Sequence, residues 1–257
     1  MSINSEYNIV IPVRMASQRL PGKPLLNIAG RPLIEHVYRR ACCASVQQIV
    51  IATDDQRIFA VARGFGAEVI MTSQAHQSGS DRIAECADQL GWGDQQLIVN
   101  LQGDEPLMPA ACLDQVAALL AADPAADVAS LYWPLDSREE IANPHNVKVV
   151  MGQGDYALYF SRSVVPFPRN WDNVEAALQS GLSWQRHVGL YAYRGGALRA
   201  FAAMQKTPLE AAEKLEQLRF LEAGRKIRMA RACRFIPAGV DTEHDLERVR
   251  NVIKEEL

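Results

Sequence analysis

Short apolar runs recur through the first half of the chain and alternate with segments of helical periodicity. The runs occupy residues 9–13, 48–52, 97–101 and 128–132. Between the first two, Leu33, Ile34, Val37 and Ala41 can share one face of a helix. Strands that alternate with helices in this way predict an α/β fold.

The pattern changes after residue 143. Apolar runs at 147–150, 156–160 and 188–193 are bounded by glycines, with few helical patterns between them. This arrangement predicts antiparallel strands that cover a ligand crevice or pair two subunits. The polar stretch 166–184, which contains Trp171 and Trp184, is interpreted as a mobile loop.

A long helix is predicted near the carboxyl end of the chain. Thr207 and Glu210 form a capping box with a proline between them, so a helix is expected from there to a stop at Gly224. Spacings of three and four residues would place three acidic or amide residues on one face of it, and a solvated acidic face is the default interpretation. These residues are Glu213, Glu216 and Gln217.

Other capping patterns mark further helix starts. Ser78 with Asp81 fits the Ser-x-x-Asp pattern, although the same loop can offer hydroxyl and main-chain groups to a base or phosphate. Thr53 or Asp54 is expected to cap the helix after the second apolar run. The remaining capping pair is Thr242 with Asp245, and Asp241 lies just outside it.

The first apolar run leads into a basic loop. Arg14, Arg19 and Lys23 supply cationic donors, and Gly22 allows a tight path that turns main-chain N–H groups inward. Such a loop can hold a polyphosphate, and a solvated basic turn is the competing interpretation. The loop has neither the Walker spacing nor the GxGxxG fingerprint, but it follows a first strand, where α/β sheets bind nucleotide phosphates.

A carboxylate follows the third apolar run. Asp104 comes just after residues 97–101, and a side chain at the carboxyl end of a parallel strand stands over the ligand crevice. Magnesium needs only one or two protein carboxylates, because water and phosphate oxygens fill its other positions. Asp104 is therefore a candidate magnesium ligand, with an acidic turn as the alternative, while Glu105 is expected to face solvent.

Composition narrows the class of protein. The chain has 257 residues, 48% of them hydrophobic, and a formal net charge of −3 with no block of like charge, so a nucleic-acid surface is not suggested. Neither a signal-peptide pattern nor an apolar run of membrane-spanning length is present, which favours a cytoplasmic protein without membrane contact.

The five cysteines form no CxxC pair and no even disulfide framework. Most lie among alanines and aliphatic residues, where a free thiol behaves as a small buried hydrophobe. They are Cys42, Cys43, Cys86, Cys112 and Cys233.

Nine motifs in one order resemble a single family, the 3-deoxy-manno-octulosonate (Kdo) cytidylyltransferases, or CMP-Kdo synthetases. They are IPVRMASQRLPGKPL at 11–25, ATDD at 52–55, HQSGSDR at 76–82, VNLQGDEP at 99–106, NPHNVKVV at 143–150, ALYFSR at 157–162, HVGLYAYR at 187–194, LEQLR at 215–219 and GVDTEHDLERVR at 239–250. Together they span the chain nearly end to end.

The resemblance implies a Rossmann-like nucleotidyltransferase fold with a mainly parallel sheet and an antiparallel, strand-rich dimerisation or lid segment. It implies a single domain, with a nucleotide-binding part at about 8–135, a strand-rich sugar-binding part at about 143–205 and a C-terminal part at 207–257. It also implies a homodimer that uses Mg²⁺ to convert CTP and Kdo into CMP-Kdo and pyrophosphate for lipopolysaccharide biosynthesis.

The family's functional residues carry over to this chain by position. The resemblance implies that the nucleotide is bound by Val13, Arg14, Arg19, Lys23, Ser78, Gly79 and Gln102. It implies that the metal is held by Asp104 and Asp241, which with Arg14 and Lys23 form the catalytic set. It implies a sugar-acid pocket formed by Arg162, His187, Tyr191, Glu216 and Gln217.

These residues suit the chemistry. Fixed cations can neutralise the departing phosphates, and a metal-bound sugar hydroxyl loses its proton more easily, so in-line displacement needs neither a protein base nor a covalent intermediate. Arg162 can pair with a carboxylate through two N–H groups, a geometry that lysine does not reproduce.

The chain departs from the family pattern at two positions. Val13 and Ser80 stand where alanine and threonine are usual. Ser80 keeps the hydroxyl, whereas Val13 adds bulk beside the nucleotide. Two alternatives stay open: a cytidylyltransferase for an amino-substituted Kdo or another sugar acid, and a nucleotide-binding module without catalysis. The absent glycine fingerprint argues against a dehydrogenase.

Overall fold

The computed structural model describes residues 6–16, 19–76, 78–169, 174–179 and 181–255. Within these residues a nine-stranded sheet is flanked by helices, and a two-stranded ribbon stands beside it. The mixed α/β fold with a mostly parallel sheet confirms the predicted class. Part of the basic loop, at 17–18, and Trp171 lie outside the described residues.

The strands follow the predicted apolar runs with small shifts at their ends. They are β1 (Tyr7–Val13), β2 (Asn27–Ile28), β3 (Arg31–Pro32), β4 (Gln48–Thr53), β5 (Glu68–Met71), β6 (Leu97–Asn100), β7 (Val128–Leu135), β8 (Lys148–Met151), β9 (Ala157–Ser161), β10 (Trp184–Arg194) and β11 (Ile227–Arg231). The helices are α1 (Leu33–Ala41), α2 (Gln56–Gly64), α3 (Gly79–Gln89), α4 (Ala110–Ala121), α5 (Arg138–Ala142), α6 (Val174–Gln179), α7 (Gly195–Ala203), α8 (Pro208–Glu213), α9 (Gln217–Glu222) and α10 (Glu243–Glu255), with a 3-10 turn at Lys23–Leu25.

The main path of the sheet has the order β11-β7-β10-β6-β1-β4-β5, with β8 and β9 attached beside β10. Pairs β6-β1, β1-β4 and β4-β5 are parallel, whereas β10 is antiparallel to both of its neighbours on that path. The carboxyl ends of β1, β4 and β6 therefore meet at one edge of the sheet, which is where the site lies.

Two apolar cores cover the two faces of the sheet. Successive side chains of a strand point to opposite faces, so Ile9 and Ile11 pack in one core and Val10 packs in the other. Helices α1, α2 and α4 cover the first face, and α3, α7 and α9 cover the second. Helix α10 packs instead on the ribbon and the start of α1, through Val249 and Ile253 against Ile28 and Leu33.

The strand-rich middle segment is part of the main sheet and not only a cover or a subunit contact. Strand β10 inserts between β6 and β7, and Trp184 at its start is fully buried. The stretch interpreted as a mobile loop contains α6 in its described part. The polar composition of 166–184 concealed one buried face, formed by Val174 and Trp184 with Leu135 and Ile141.

The predicted helix from residue 207 to Gly224 is two helices. The capping box of Thr207 and Glu210 starts α8, as predicted, but Lys214 adopts a left-handed conformation with φ 56° and ends it. Helix α9 then begins at Gln217. The prediction of one solvated face through Glu213 and Gln217 is therefore wrong, because the break turns the second segment toward the sheet.

Two smaller predictions also need correction. Asp55, not Thr53 or Asp54, caps α2 by accepting a hydrogen bond from the Arg57 N–H at 2.8 Å. Asp54 instead pairs with Arg82 at 2.6 Å. Among the cysteines, two are buried and three are exposed, because the latter lie at helix ends and in loops. The buried thiols are those of Cys86 and Cys112, and the exposed ones are those of Cys42, Cys43 and Cys233.

We predict that Trp184→Ala lowers the free energy of unfolding by about 3–5 kcal/mol, because it empties a large buried site. It also removes the indole N–H that donates to the Pro166 carbonyl at 2.9 Å. Urea denaturation followed by circular dichroism measures the change. Leu209→Ala is the control, since Leu209 is 39% exposed, and a loss below about 1 kcal/mol is expected there. Equal losses in both variants would contradict the packing described.

Candidate active site

A cleft of about 1050 Å³ opens over the carboxyl ends of the parallel strands. Its walls come from the loop after β1, the start of α3, the loop after β6, strand β10, the α8–α9 turn and the turn before α10. Chain segments far apart in sequence thus contribute to a single concave surface.

Thirteen of the fourteen predicted site residues line this cleft. They are Val13, Arg14, Arg19, Lys23, Ser78, Gly79, Gln102, Asp104, His187, Tyr191, Glu216, Gln217 and Asp241. The exception is Arg162, whose Nε donates to the Glu213 carbonyl at 2.8 Å and whose Nη1 donates to the Pro144 carbonyl at 3.2 Å. The structure thus turns the Arg162 guanidinium toward main-chain carbonyls, and its role in sugar binding stays a prediction.

Lys23 joins the two predicted metal ligands. Its Nζ lies 2.6 Å from Asp104 Oδ2 and 3.3 Å from Asp241 Oδ1, and it also donates to the Val240 carbonyl at 2.8 Å. Arg19 pairs with the other oxygen of Asp241 at 3.0 Å. Because both carboxylates reach one ammonium group, they can converge on a single cation.

Two carboxylates are a donor set that fits Mg²⁺, which takes few protein ligands and fills the remainder with water and phosphate oxygens. Within the described residues, no group of three or more His, Cys, Asp or Glu side chains converges as a metal cage. The geometry therefore suits a metal shared with a phosphate-bearing ligand more than a closed structural metal site.

Main-chain contacts hold the two carboxylate loops together. The Val240 N–H donates to the Asp104 carbonyl at 2.8 Å. Gly239 makes this approach possible, since a Cβ there would lie 3.0 Å from the Asp104 carbonyl oxygen and 3.4 Å from Glu105 Cγ. The position of Asp241 beside Asp104 thus depends on a residue without a side chain.

The start of α3 forms another wall of the cleft. Ser78 caps the helix by accepting a hydrogen bond from the Asp81 N–H at 3.1 Å, which confirms the predicted capping role. Gly79 follows, beside Pro12 of β1. A helix start concentrates unpaired N–H groups and positive potential, so this wall favours an anion or a base carbonyl.

The inner end of the cleft carries hydrogen-bonding groups of β10 and α9. The His187 ring lies between Phe160 and Tyr191, with ring centroids 4.8 and 5.3 Å away, and its Nδ1 faces the Gln217 amide at 3.5 Å. Burial, which removes water from the ring, and the nearby positive charge of Arg186 lower the pKa of His187 to about 3. The imidazole is therefore neutral at ordinary pH.

Two carboxyl groups near the cleft have raised pKa values. Desolvation raises the pKa of Glu216. The hydrogen bond that Glu216 accepts from Ser80 Oγ at 3.2 Å lowers this pKa, but by less than desolvation raises it. Burial and the charge of Asp104 raise the pKa of Glu105 to about 8. Glu105 was expected to face solvent, which is wrong, because the turn at Gly239 packs over it and buries Oε2.

Other polar residues also line the cleft without having been predicted as site residues, among them Asn100, Tyr193 and Lys214. Asn100 pairs with Tyr191 across β6 and β10, and Tyr193 follows two positions later on the same face. The sequence held a signal for the first two residues, because Asn100 lies two positions before Gln102 and Tyr193 lies two positions after Tyr191. Lys214 had no such signal, because it reaches the cleft only through the break between α8 and α9.

A mostly parallel sheet whose crevice joins a basic loop to two convergent carboxylates is the architecture of a nucleotidyltransferase. Comparison with known proteins agrees. The family model described as cytidylyltransferase matches residues 8–227. Solved structures of a Leptospira borgpetersenii cytidylyltransferase and of a 4-diphosphocytidyl-2C-methyl-D-erythritol synthase share the fold at 18% and 14% identity, with TM-scores of 0.63 and 0.61.

Relatives with much higher identity define the group within that class. The 3-deoxy-manno-octulosonate cytidylyltransferases of Thioalkalivibrio sulfidiphilus and Hahella chejuensis are 49% and 48% identical, over 96% and 97% of this chain and 99% and 98% of theirs. A solved CMP:2-keto-3-deoxy-manno-octonic acid synthetase in complex with CTP has a TM-score of 0.89 at 41% identity, covering 98% of this chain and all of its own. The chain belongs to the 3-deoxy-manno-octulosonate cytidylyltransferase family of enzymes.

We predict that Gly239→Ala moves the Asp241 turn away from Asp104, because the new Cβ meets main-chain atoms that cannot rotate aside. The free energy of unfolding should fall by about 1–3 kcal/mol. Gly64→Ala is the matched control, since a Cβ there meets nothing within 4 Å. Thermal and urea unfolding measure both variants, and a loss in Gly239→Ala no larger than in Gly64→Ala would contradict the tight approach.

The lowered pKa of His187 also predicts a pH dependence of stability. An unfolded chain protonates this histidine below about pH 6.5, whereas the folded chain resists protonation down to about pH 3. Between these two pH values unfolding takes up a proton at His187. The free energy of unfolding is therefore unaffected by this histidine above pH 6.5 and falls as the pH is lowered toward 3. Urea unfolding between pH 7 and 4 should show a shallower decline in His187→Gln than in the unsubstituted protein; parallel declines would exclude this account.

Proposed function

We propose that the enzyme transfers the cytidylyl group of CTP to Kdo, giving CMP-Kdo and pyrophosphate. The observation that carries the proposal is the single cleft in which Arg14, Arg19 and Lys23 lie with Asp104 and Asp241. The relatives named for this reaction, and the solved synthetase in complex with CTP, support the choice of nucleotide and sugar.

The chain's own residues divide the work. Arg14 and Arg19, both exposed in the cleft, bind the β- and γ-phosphates, and Lys23 moves from its carboxylate partners to the same oxygens. The start of α3, at Ser78 and Gly79, holds the nucleoside end. Fixing the phosphates along one wall orients the α-phosphorus toward the inner pocket, which lowers the entropic cost of in-line attack.

Asp104 and Asp241 would hold a Mg²⁺ ion. When bound, that metal would offset negative charge on the phosphate oxygens and make the attacking sugar hydroxyl more acidic. With this acidity available, the displacement requires no protein base, and the neutral His187 is consistent with a role in positioning the sugar.

The inner pocket suits a polyhydroxylated sugar. His187, Gln217 and Tyr191 offer donors and acceptors in a small space, and Glu216 can accept from a ring hydroxyl. Arg162 remains our proposed partner for the sugar carboxylate. It would have to release the carbonyls of Glu213 and Pro144 to reach that group.

We further propose a cytoplasmic homodimer that supplies activated Kdo for lipopolysaccharide biosynthesis. Leu158 on β9 is 62% exposed, and Phe167 is 65% exposed in the segment that follows, which supports a protein contact on this side. No helix within the described ranges is long and apolar enough to cross a membrane.

The proposal predicts pyrophosphate release that requires CTP, Kdo and Mg²⁺ together. Asp104→Asn should lower the rate by about 10²-fold or more, because it removes a carboxylate that would hold the Mg²⁺ ion, and with the ion the positive charge that would offset the phosphate charge. Asp94→Asn is the control, since the Asp94 side chain is 72% exposed and pairs with Arg199. Release with a different sugar acid would reassign the sugar, and no release with any sugar acid would overturn the proposal.

A further inference from the structure

Ser130 lies behind the inner pocket, outside the cleft lining, and is fully buried in β7. Its Oγ has three polar neighbours: His187 Nε2 at 3.0 Å, the Val188 carbonyl at 3.0 Å and the Leu190 carbonyl at 2.8 Å. An irregularity in the pairing of β10 with β7, between Val188 and Tyr191, turns these carbonyls toward the hydroxyl.

The number of available hydrogens decides whether Ser130 or His187 donates in the contact between them. A serine hydroxyl has one hydrogen, and carbonyl oxygens only accept. If Ser130 donates to a carbonyl and accepts from the Nε2–H group of a neutral His187, two contacts become hydrogen bonds. If Ser130 donates to His187 Nε2, only one contact does, and both buried carbonyls face an oxygen lone pair. The first arrangement is therefore favoured, because unpaired buried polar groups are costly.

We propose that Ser130 is a positioning residue that fixes His187 in the tautomer with the proton on Nε2, so that Nδ1 presents a lone pair to the sugar pocket. The rings of Phe160 and Tyr191 on either side keep the imidazole from rotating. The Gln217 amide faces Nδ1 at 3.5 Å, a weak contact that a sugar hydroxyl can replace. The part concerning the sugar rests on the proposed function.

The first test needs no substrate, and its result is read from the unsubstituted protein. Long-range ¹H–¹⁵N correlation spectra of the ¹⁵N-labelled protein at neutral pH report which ring nitrogen of each histidine carries the proton. The His187 signals are assigned by their loss in His187→Gln. A proton on Nε2 and a pyridine-type Nδ1 are expected, and a proton on Nδ1 would overturn the proposal even if the enzyme is active with Kdo.

A second test separates positioning from packing. Ser130→Ala removes the acceptor of the Nε2 proton, so a share of the Nδ1-protonated tautomer should appear and the KM for Kdo should rise about three- to tenfold. The KM for CTP should stay unchanged, and Ser130→Thr, which keeps the hydroxyl, should restore the tautomer. An unchanged tautomer in a folded Ser130→Ala protein would refute the assignment. If Ser130→Ala does not fold, the spectrum of the unsubstituted protein decides.

The two proposals fail separately. An inactive protein with the Nε2-protonated His187 would remove the sugar assignment and leave the Ser130 contact intact. An active protein with the opposite tautomer would keep the cytidylyltransferase assignment and remove the role of Ser130.

Discussion

The arrangement of the site depends on one cluster of charges. The Lys23 ammonium contacts Asp104 and Asp241, and thereby joins the basic loop after β1, the loop after β6 and the turn before α10. Two carboxylates this close repel one another, so they require a cation between them. On our proposal a metal ion would meet the same requirement, and Lys23 would then become available to phosphate oxygens.

The second constraint is the insertion of β10 into the parallel part of the sheet. A strand running in the opposite direction brings its middle part, with His187 and Tyr191, to the crevice. The irregularity beside Val188 then supplies carbonyl groups that orient a neutral ring through Ser130. On our proposal the parallel strands form the nucleotide side of the cleft, and this antiparallel strand forms the sugar side.

Residues that act by local rules were predictable from the sequence. The capping residues Ser78 and Thr207 carry their spacing with them, and the parallel strands are continuous apolar runs because both of their faces are covered. The candidate cleft residues came from a motif order that resembles one family. Arg162 shows the limit of that approach, since its guanidinium direction is decided by nearby carbonyls.

The sequence by itself determined the α/β class, most element boundaries and the chemical types of the site residues, because these depend on periodicity, capping and charge. The tertiary structure decided three further matters: the place of β10 within the sheet, the break at Lys214, and the burial of Glu105. Each depends on residues distant in sequence. The left-handed Lys214, for example, directly follows Glu213, whose carboxylate accepts hydrogen bonds from Ser161 Oγ and the Arg162 N–H, and no local pattern encodes those contacts.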